Sequence, residues 1–303
     1  MIKDKTLLQY FYRKENISKF EKMLEKVESE IAGSPKVDEA KIRKLNKQVI
    51  SSQKDINEIY NNIIFPAMKK LIHIKKKPKL IMLEQGLFKD IINCQRDFIK
   101  EYLFGIGISA MPLGALSFFY DPNPLNLLGM GLAVPIVATM KTLNTVKRNL
   151  CVASPYSNNF YTSPINLNNA IEAISHEATH IINFQNKNII NKIISNFIRK
   201  EDIYSEGIAM YMEDKVREEI IKEHPNLGDK TYLLNGKRTI IKQSIEKLKK
   251  YFNNEEQNKV LKLTKKDYKT GKHHELGLKV TELLAYERGN KVPIEMIENT
   301  FTI

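Results

Sequence analysis

"AISHEATHII", Ala173 to Ile182, carries two of the six histidines in this chain. His176 and His180 stand four residues apart, and Glu177 directly follows the first. On a helix, residues i and i+4 project from one face a turn apart, so two imidazole nitrogens reach a single ion. Glu177 points off that line and need not ligate; it is placed to act on water beside the ion. The helix also has its own reasons to form. Ile171, Ile174, Ala178, Ile181 and Ile182 recur at helical spacing, and Asn168 or Asn169 can cap its start. Those apolar positions account for packing, which leaves the histidines over for chemistry.

Downstream, "YSEGIAMYMED" (Tyr204 to Asp214) belongs to another stretch of helical character, beginning near Ile203. Residues 181 to 205 are long enough for an antiparallel return. The small Gly207 and Ala209 let this helix pack close to the first and bring the Glu206 carboxylate to the ion. Two neutral imidazoles and one carboxylate leave the fourth position of a zinc shell exchangeable, as a hydrolase requires. Zn2+ is therefore the expected cofactor, with His176, His180 and Glu206 as metal ligands and Glu177 as the catalytic base.

His176, Glu177 and His180, followed by Glu206 in E-G-x-A-x-Y, resemble the gluzincin branch of zinc metallopeptidases, to which thermolysin-like enzymes and a group of zinc aminopeptidases belong. The resemblance spans about residues 155 to 215. It implies the same three ligands, Glu177 as general base, and hydrolysis of a peptide or protein substrate. It further implies that the β-prone stretch around Phe160 to Thr162, in "FYTSP", is the sheet edge that holds an extended substrate. There are two departures. Thermolysin-like members place an aspartate four residues after the ligand glutamate, where this chain has Met210, so support for a zinc histidine falls to Asp214 or a backbone carbonyl. No residue matches an aminopeptidase signature for a free N-terminus. The family usually supports the oxyanion with a His or Tyr on a later helix. "YKTGKHHELGLKVTELLAYERG" (Tyr268 to Gly289) resembles that helix, with Gly271 and Gly277 marking close packing. It offers Tyr268, His273, His274 and Tyr286, of which His274 and Tyr268 are the catalytic candidates; each also reads as structural, and Tyr211 has comparable standing.

Outward from this centre the chain divides into three zones. Residues 1–100 read as helices: Leu7, Leu8, Phe11, Tyr12, Phe20, Met23, Leu24 and Val27 recur at threes and fours. "AGSP" (Ala32 to Pro35) breaks that run, a second amphipathic run covers about Val37 to Ile64, and the pair suggests a helical hairpin. "KKKPK" (Lys75 to Lys79) is a basic joint, either solvated or at a membrane surface, before a third helical run from about Leu83 to Lys100.

Residues 101–142 differ in kind. From Tyr102 to Met140 the only charge is Asp121, and "DPNP" divides the segment into apolar stretches 103–120 and 125–140. Nearly forty residues with one charge leave no polar face for water, so the expectation is a membrane-embedded apolar hairpin. The competing reading is a buried hairpin in a soluble core, because stretches of 18 and 16 residues fall short of the roughly 20 of a spanning helix. If the segment spans, Arg96 and Lys100 on one side and Lys141, Lys147 and Arg148 on the other place both flanks in the cytoplasm.

Residues 143–303 return to globular composition and form the expected zincin-like catalytic domain, with a small sheet and the active-site helix. The fold class is thus mainly α, of α+β type. Two cysteines, Cys94 and Cys151, are too few for a disulfide scaffold, and the N-terminus breaks into charges too early for a signal peptide. Net charge is +13, yet no helix-turn-helix, zinc-finger or aromatic RNA-binding pattern accompanies it, so no specific nucleic acid is expected. The expected protein is a zinc peptidase on the cytoplasmic face of a membrane, held there through residues 103–140. The alternatives are a soluble cytoplasmic location and a non-catalytic, zinc-containing scaffold or interaction protein. Oligomeric state is not legible.

Overall fold

The computed structural model describes residues 4–83, 96, 97, 99, 151–154, 158–187, 203–253, 272–289 and 291–298. The described chain is mainly helical with two small sheets. Its elements begin with α1 (Asp4–Phe11), α2 (Glu15–Ala32), α3 (Glu39–Lys47), β1 (Val49–Ile50), α4 (Gln53–Ile59), a π-helical turn (Tyr60–Ile64), α5 (Phe65–Leu71) and β2 (Lys79–Met82). They continue with β3 (Cys151–Ser154), β4 (Asn159–Thr162), β5 (Ile165–Asn166) and α6 (Leu167–Asn186). Last come α7 (Ile203–Glu223), a 3-10 turn (Pro225–Leu227), α8 (Lys230–Asn253), α9 (Lys272–Arg288) and α10 (Lys291–Glu298). Contacts divide the chain into two compact units, Met1–Gln48 with Pro66–His73 and Lys200–Ile303, and Val49–Phe65 with Ile74–Arg199.

In the first unit the apolar stripe of the N-terminal helices is the core. Leu7, Leu8, Phe11, Phe20, Met23 and Val27 are all buried, each burial contributing about 1.5–3 kcal/mol. α2 ends at Ala32, where the glycine and proline of "AGSP" stop it. Its stripe packs along α8 rather than the run that follows it. The reason is area: α3 buries only Ile42 and Leu45, whereas α8 presents Leu234, Ile241, Ile245 and Leu248. Glu28–Lys242 (3.1 Å) and Glu21–Lys249 (2.8 Å) border that seam.

The second close pair is α7 with α9. A Cβ built on Gly207 would lie 2.4 Å from the carbonyl carbon of Gly277, so only glycine lets these backbones meet. The close approach expected at Gly207 is thus made with α9.

The second unit holds the β1–β5 pair, α4, the π-helical turn, α6 and a three-stranded sheet. Strand order is β2-β4-β3, with β2 parallel and β3 antiparallel to β4. On one face Ile81 and Val152 flank Tyr161; on the other Phe160 meets the Tyr60 ring edge-on at 5.4 Å. Buried Asp97 accepts hydrogen bonds from the Tyr161 hydroxyl and from Asn159 Nδ2, and so pins β4. The outer edge of β2 is covered by one side chain: Gln53 Oε1 accepts from Met82 N at 2.7 Å, and Gln53 Nε2 donates to the Leu80 carbonyl at 3.3 Å. That closes an edge that would otherwise be open to pairing.

Several expectations are corrected here. The run from Val37 to Ile64 is not one helix. Val49 and Ile50 are extended and pair antiparallel with Asn166 and Ile165, and Ser52 then caps α4 by accepting from Asp55 N at 3.1 Å. β4, expected as the substrate-binding edge, is the central strand, because it is hydrogen-bonded on both sides. In the basic joint, Lys77 lies over the Tyr60 and Phe65 rings, 5.2 and 4.3 Å from their centroids, and Lys79 opens β2. The transmembrane expectation is corrected as well: among the described residues no helix is long and apolar enough to cross a membrane. The stretches at 103–140 that carried it lie outside the described residues.

Candidate metal centre

α6 forms where its apolar spacing requires. Ile171, Ile174, Ala178, Ile181 and Ile182 are each fully buried. Its cap is Asn166, whose side chain accepts from Asn169 N at 2.8 Å, rather than Asn168 or Asn169. Two hydroxyls inside the buried face are satisfied by the helix itself: Ser175 Oγ donates to the Ile171 carbonyl and Thr179 Oγ1 to that of Ser175. His176, Glu177 and His180 are half-buried, on the side the apolar stripe does not use.

The histidine rings stand nearly perpendicular, with Nε2 of His176 and Nε2 of His180 3.0 Å apart. Two nitrogens bound to one tetrahedral ion at zinc distances are about 3.3 Å apart, so a small ring movement suffices. One ligand atom from each of His176, His180 and Glu206 lies within 4.8 Å of the other two. The donor set, two imidazoles and a carboxylate, suits zinc and leaves room for a fourth ligand.

Glu206 is buried near the start of α7. His274 Nε2 on α9 approaches Glu206 Oε2 at 3.5 Å; among the described residues it is the expected oxyanion-side residue with a polar contact to a candidate ligand. The Gly207–Gly277 crossing brings these two helix starts together. His273 lies on α9, but its side chain is outside the described residues, as is all of Tyr268. Tyr211 is buried against Leu278 and Ala285, which makes it a core residue, and Met210 packs on the same cluster. Burial first, then nearby carboxylates, raises the Tyr211 phenol well above its usual range. Tyr286 is exposed and Asp214 lines a cleft of the first unit.

Edge strand β3 supplies what sequence reasoning missed. The Ala153 backbone N–H donates to Glu177 Oε2 at 2.6 Å. In the same strand, burial and then the Glu177 charge raise the Cys151 thiol well above its usual range, so it stays protonated. Neither pairing leaves a local signal, since 24 residues separate Ala153 from Glu177. No protein-family model, curated protein or solved structure matches this chain.

Proposed function

We propose that His176, His180 and Glu206 hold a zinc ion and that the protein is a zinc-dependent peptidase of gluzincin type, with a zincin-like catalytic domain. The observation that carries this reading is the convergence of those three donors, with Glu177 adjoining His176. A bound zinc ion supplies Lewis acidity and lowers the pKa of water toward neutrality. The protein's part is positioning and proton transfer. Glu177 takes the proton from the attacking water and delivers it to the leaving amide nitrogen. Its Oε2 is oriented by the Ala153 amide, which leaves Oε1 for the proton. His274 holds the Glu206 carboxylate in place, and β3, as the edge strand beside Glu177, is the surface along which an extended substrate lies.

A second reading asks less of the geometry: a metal-containing interaction protein without turnover. The Ala153 hydrogen bond favours it, because it gives the Glu177 carboxylate a structural role that needs no turnover. Metal analysis of the purified full chain and of Glu206→Ala, with peptide-library digestion by parent and Glu177→Gln, separates the two. The peptidase predicts about one zinc per chain, lost in Glu206→Ala, and cleavage lost in Glu177→Gln with zinc retained. Zinc without cleavage of any peptide selects the second reading; zinc retained in Glu206→Ala removes the proposed ligand set.

A further inference from the structure

Asn183 is a buried orphan on α6. It is only 2% exposed, and its Oδ1 is buried with no hydrogen-bond partner among the described residues. Its polar neighbours on the helix are engaged: Ser175 and Thr179 donate to the helix's own carbonyls, and Glu177 accepts from Ala153. A buried acceptor without a donor lowers stability, and its presence calls for a donor that another state of the protein supplies.

The position of Asn183 points to that donor. It follows His180 by three residues and His176 by seven, which places all three on one face of the helix. Helical side chains lean toward the N-terminus, so a side chain at 183 is directed back over the turn that carries His180. The Nε2 atoms of His176 and His180 converge at 3.0 Å, so an ion held there leaves Nδ1 of each ring to carry its proton. A metal-bound imidazole donates that N–H to an acceptor, which fixes its tautomer and its orientation. Asp214, the side-chain acceptor expected from the sequence, follows Glu206 by eight residues, about 12 Å along α7, and lines the cleft of the first unit. Asn186 Nδ2 is also buried without a partner among the described residues, but it is a donor and cannot serve another donor.

We propose that Asn183 is a positioning residue of the metal centre: its Oδ1 accepts the Nδ1–H of His180 when Nε2 of that ring holds the ion. This role rests on zinc binding at His176 and His180. The carboxamide that weakens the fold while unpaired then strengthens the hold on the metal.

The test measures zinc-free melting and zinc affinity, the latter by chelator competition, in the full chain, Asn183→Leu and Asn183→Asp. Leucine is close to asparagine in size and needs no donor. Asn183→Leu should therefore melt a few degrees above the parent without zinc, yet bind zinc about 10–100-fold more weakly. Asn183→Asp keeps an acceptor and should bind zinc at least as tightly as the parent. In the zinc-loaded parent the His180 Nδ1–H should give a slowly exchanging proton resonance that Asn183→Leu lacks. A purely structural asparagine gives the reverse: lower melting in Asn183→Leu with zinc affinity unchanged. Either of those results, or equal loss of affinity in both variants, overturns the role of Asn183 and leaves the metal reading standing. A parent that binds no zinc overturns both.

Discussion

Glu177 Oε2 accepts the backbone amide of Ala153 at 2.6 Å, so the acid of the H-E-x-x-H helix is oriented by the edge strand of the sheet. A glutamine at 177 keeps an acceptor for that amide but cannot take a proton. Glu177→Gln is therefore expected to retain bound zinc and its melting temperature while peptide cleavage falls by about 10²-fold or more. Metal analysis and cleavage assay on the same preparation check it; comparable cleavage by both proteins removes Glu177 from the mechanism.

His274 stands 3.5 Å from Glu206, which in the proposed metal site places it beside a ligand rather than at the substrate. Outer partners of metal-bound carboxylates are worth about 10–100-fold in affinity. His274→Ala should weaken zinc binding by that amount in a chelator competition. An unchanged affinity assigns His274 to the surface alone.

Gly207 and Gly236 give opposite results for the same substitution. At Gly207 a methyl group meets the Gly277 backbone at 2.4 Å, and Gly207→Ala should cost about 1–3 kcal/mol or more in a denaturant melt. At Gly236, inside α8, nothing lies within 4 Å, and Gly236→Ala should stabilise by up to about 1 kcal/mol through helix propensity. Similar melting of the two variants contradicts the close α7–α9 crossing.

The burial of Asp214 implies a pH dependence whose sign can be worked out. Its carboxyl is raised from 3.8 to about 7, first by burial and then by Glu282 and Glu213. Between those values the folded chain keeps a proton that the unfolded chain has lost, so this group's effect is a loss of stability as pH rises through the window. Below about pH 4 the penalty is absent, and above about pH 7 it is complete. Asp214→Asn should therefore melt a few degrees above the parent at about pH 8, with the gap closing toward about pH 5. A gap that widens on acidification reverses the assignment.

Periodicity and breaker residues made much of the local structure legible. The buried stripe of α6, the end of α2 at Ala32 and the side-by-side His176 and His180 all follow from spacings within a few residues. Strand pairing was not legible, because its partners are remote. Val49 and Ile50 sit in a run of helical spacing, yet they pair with Ile165 and Asn166, more than a hundred residues away. The same remoteness hid the central position of β4, which depends on β2 joining from 80 residues upstream.

By itself the sequence determined the candidate ligand types, the helical face that carries two of them, and the acid beside them, because a helix fixes those relations within one turn. Only the tertiary structure decided the rest: that Gly207 meets Gly277, and that Ala153 engages Glu177. It also decided that Asp214 and Glu282 line one cleft. These are relations between elements, set by which apolar faces are buried together, and no spacing along the chain encodes them.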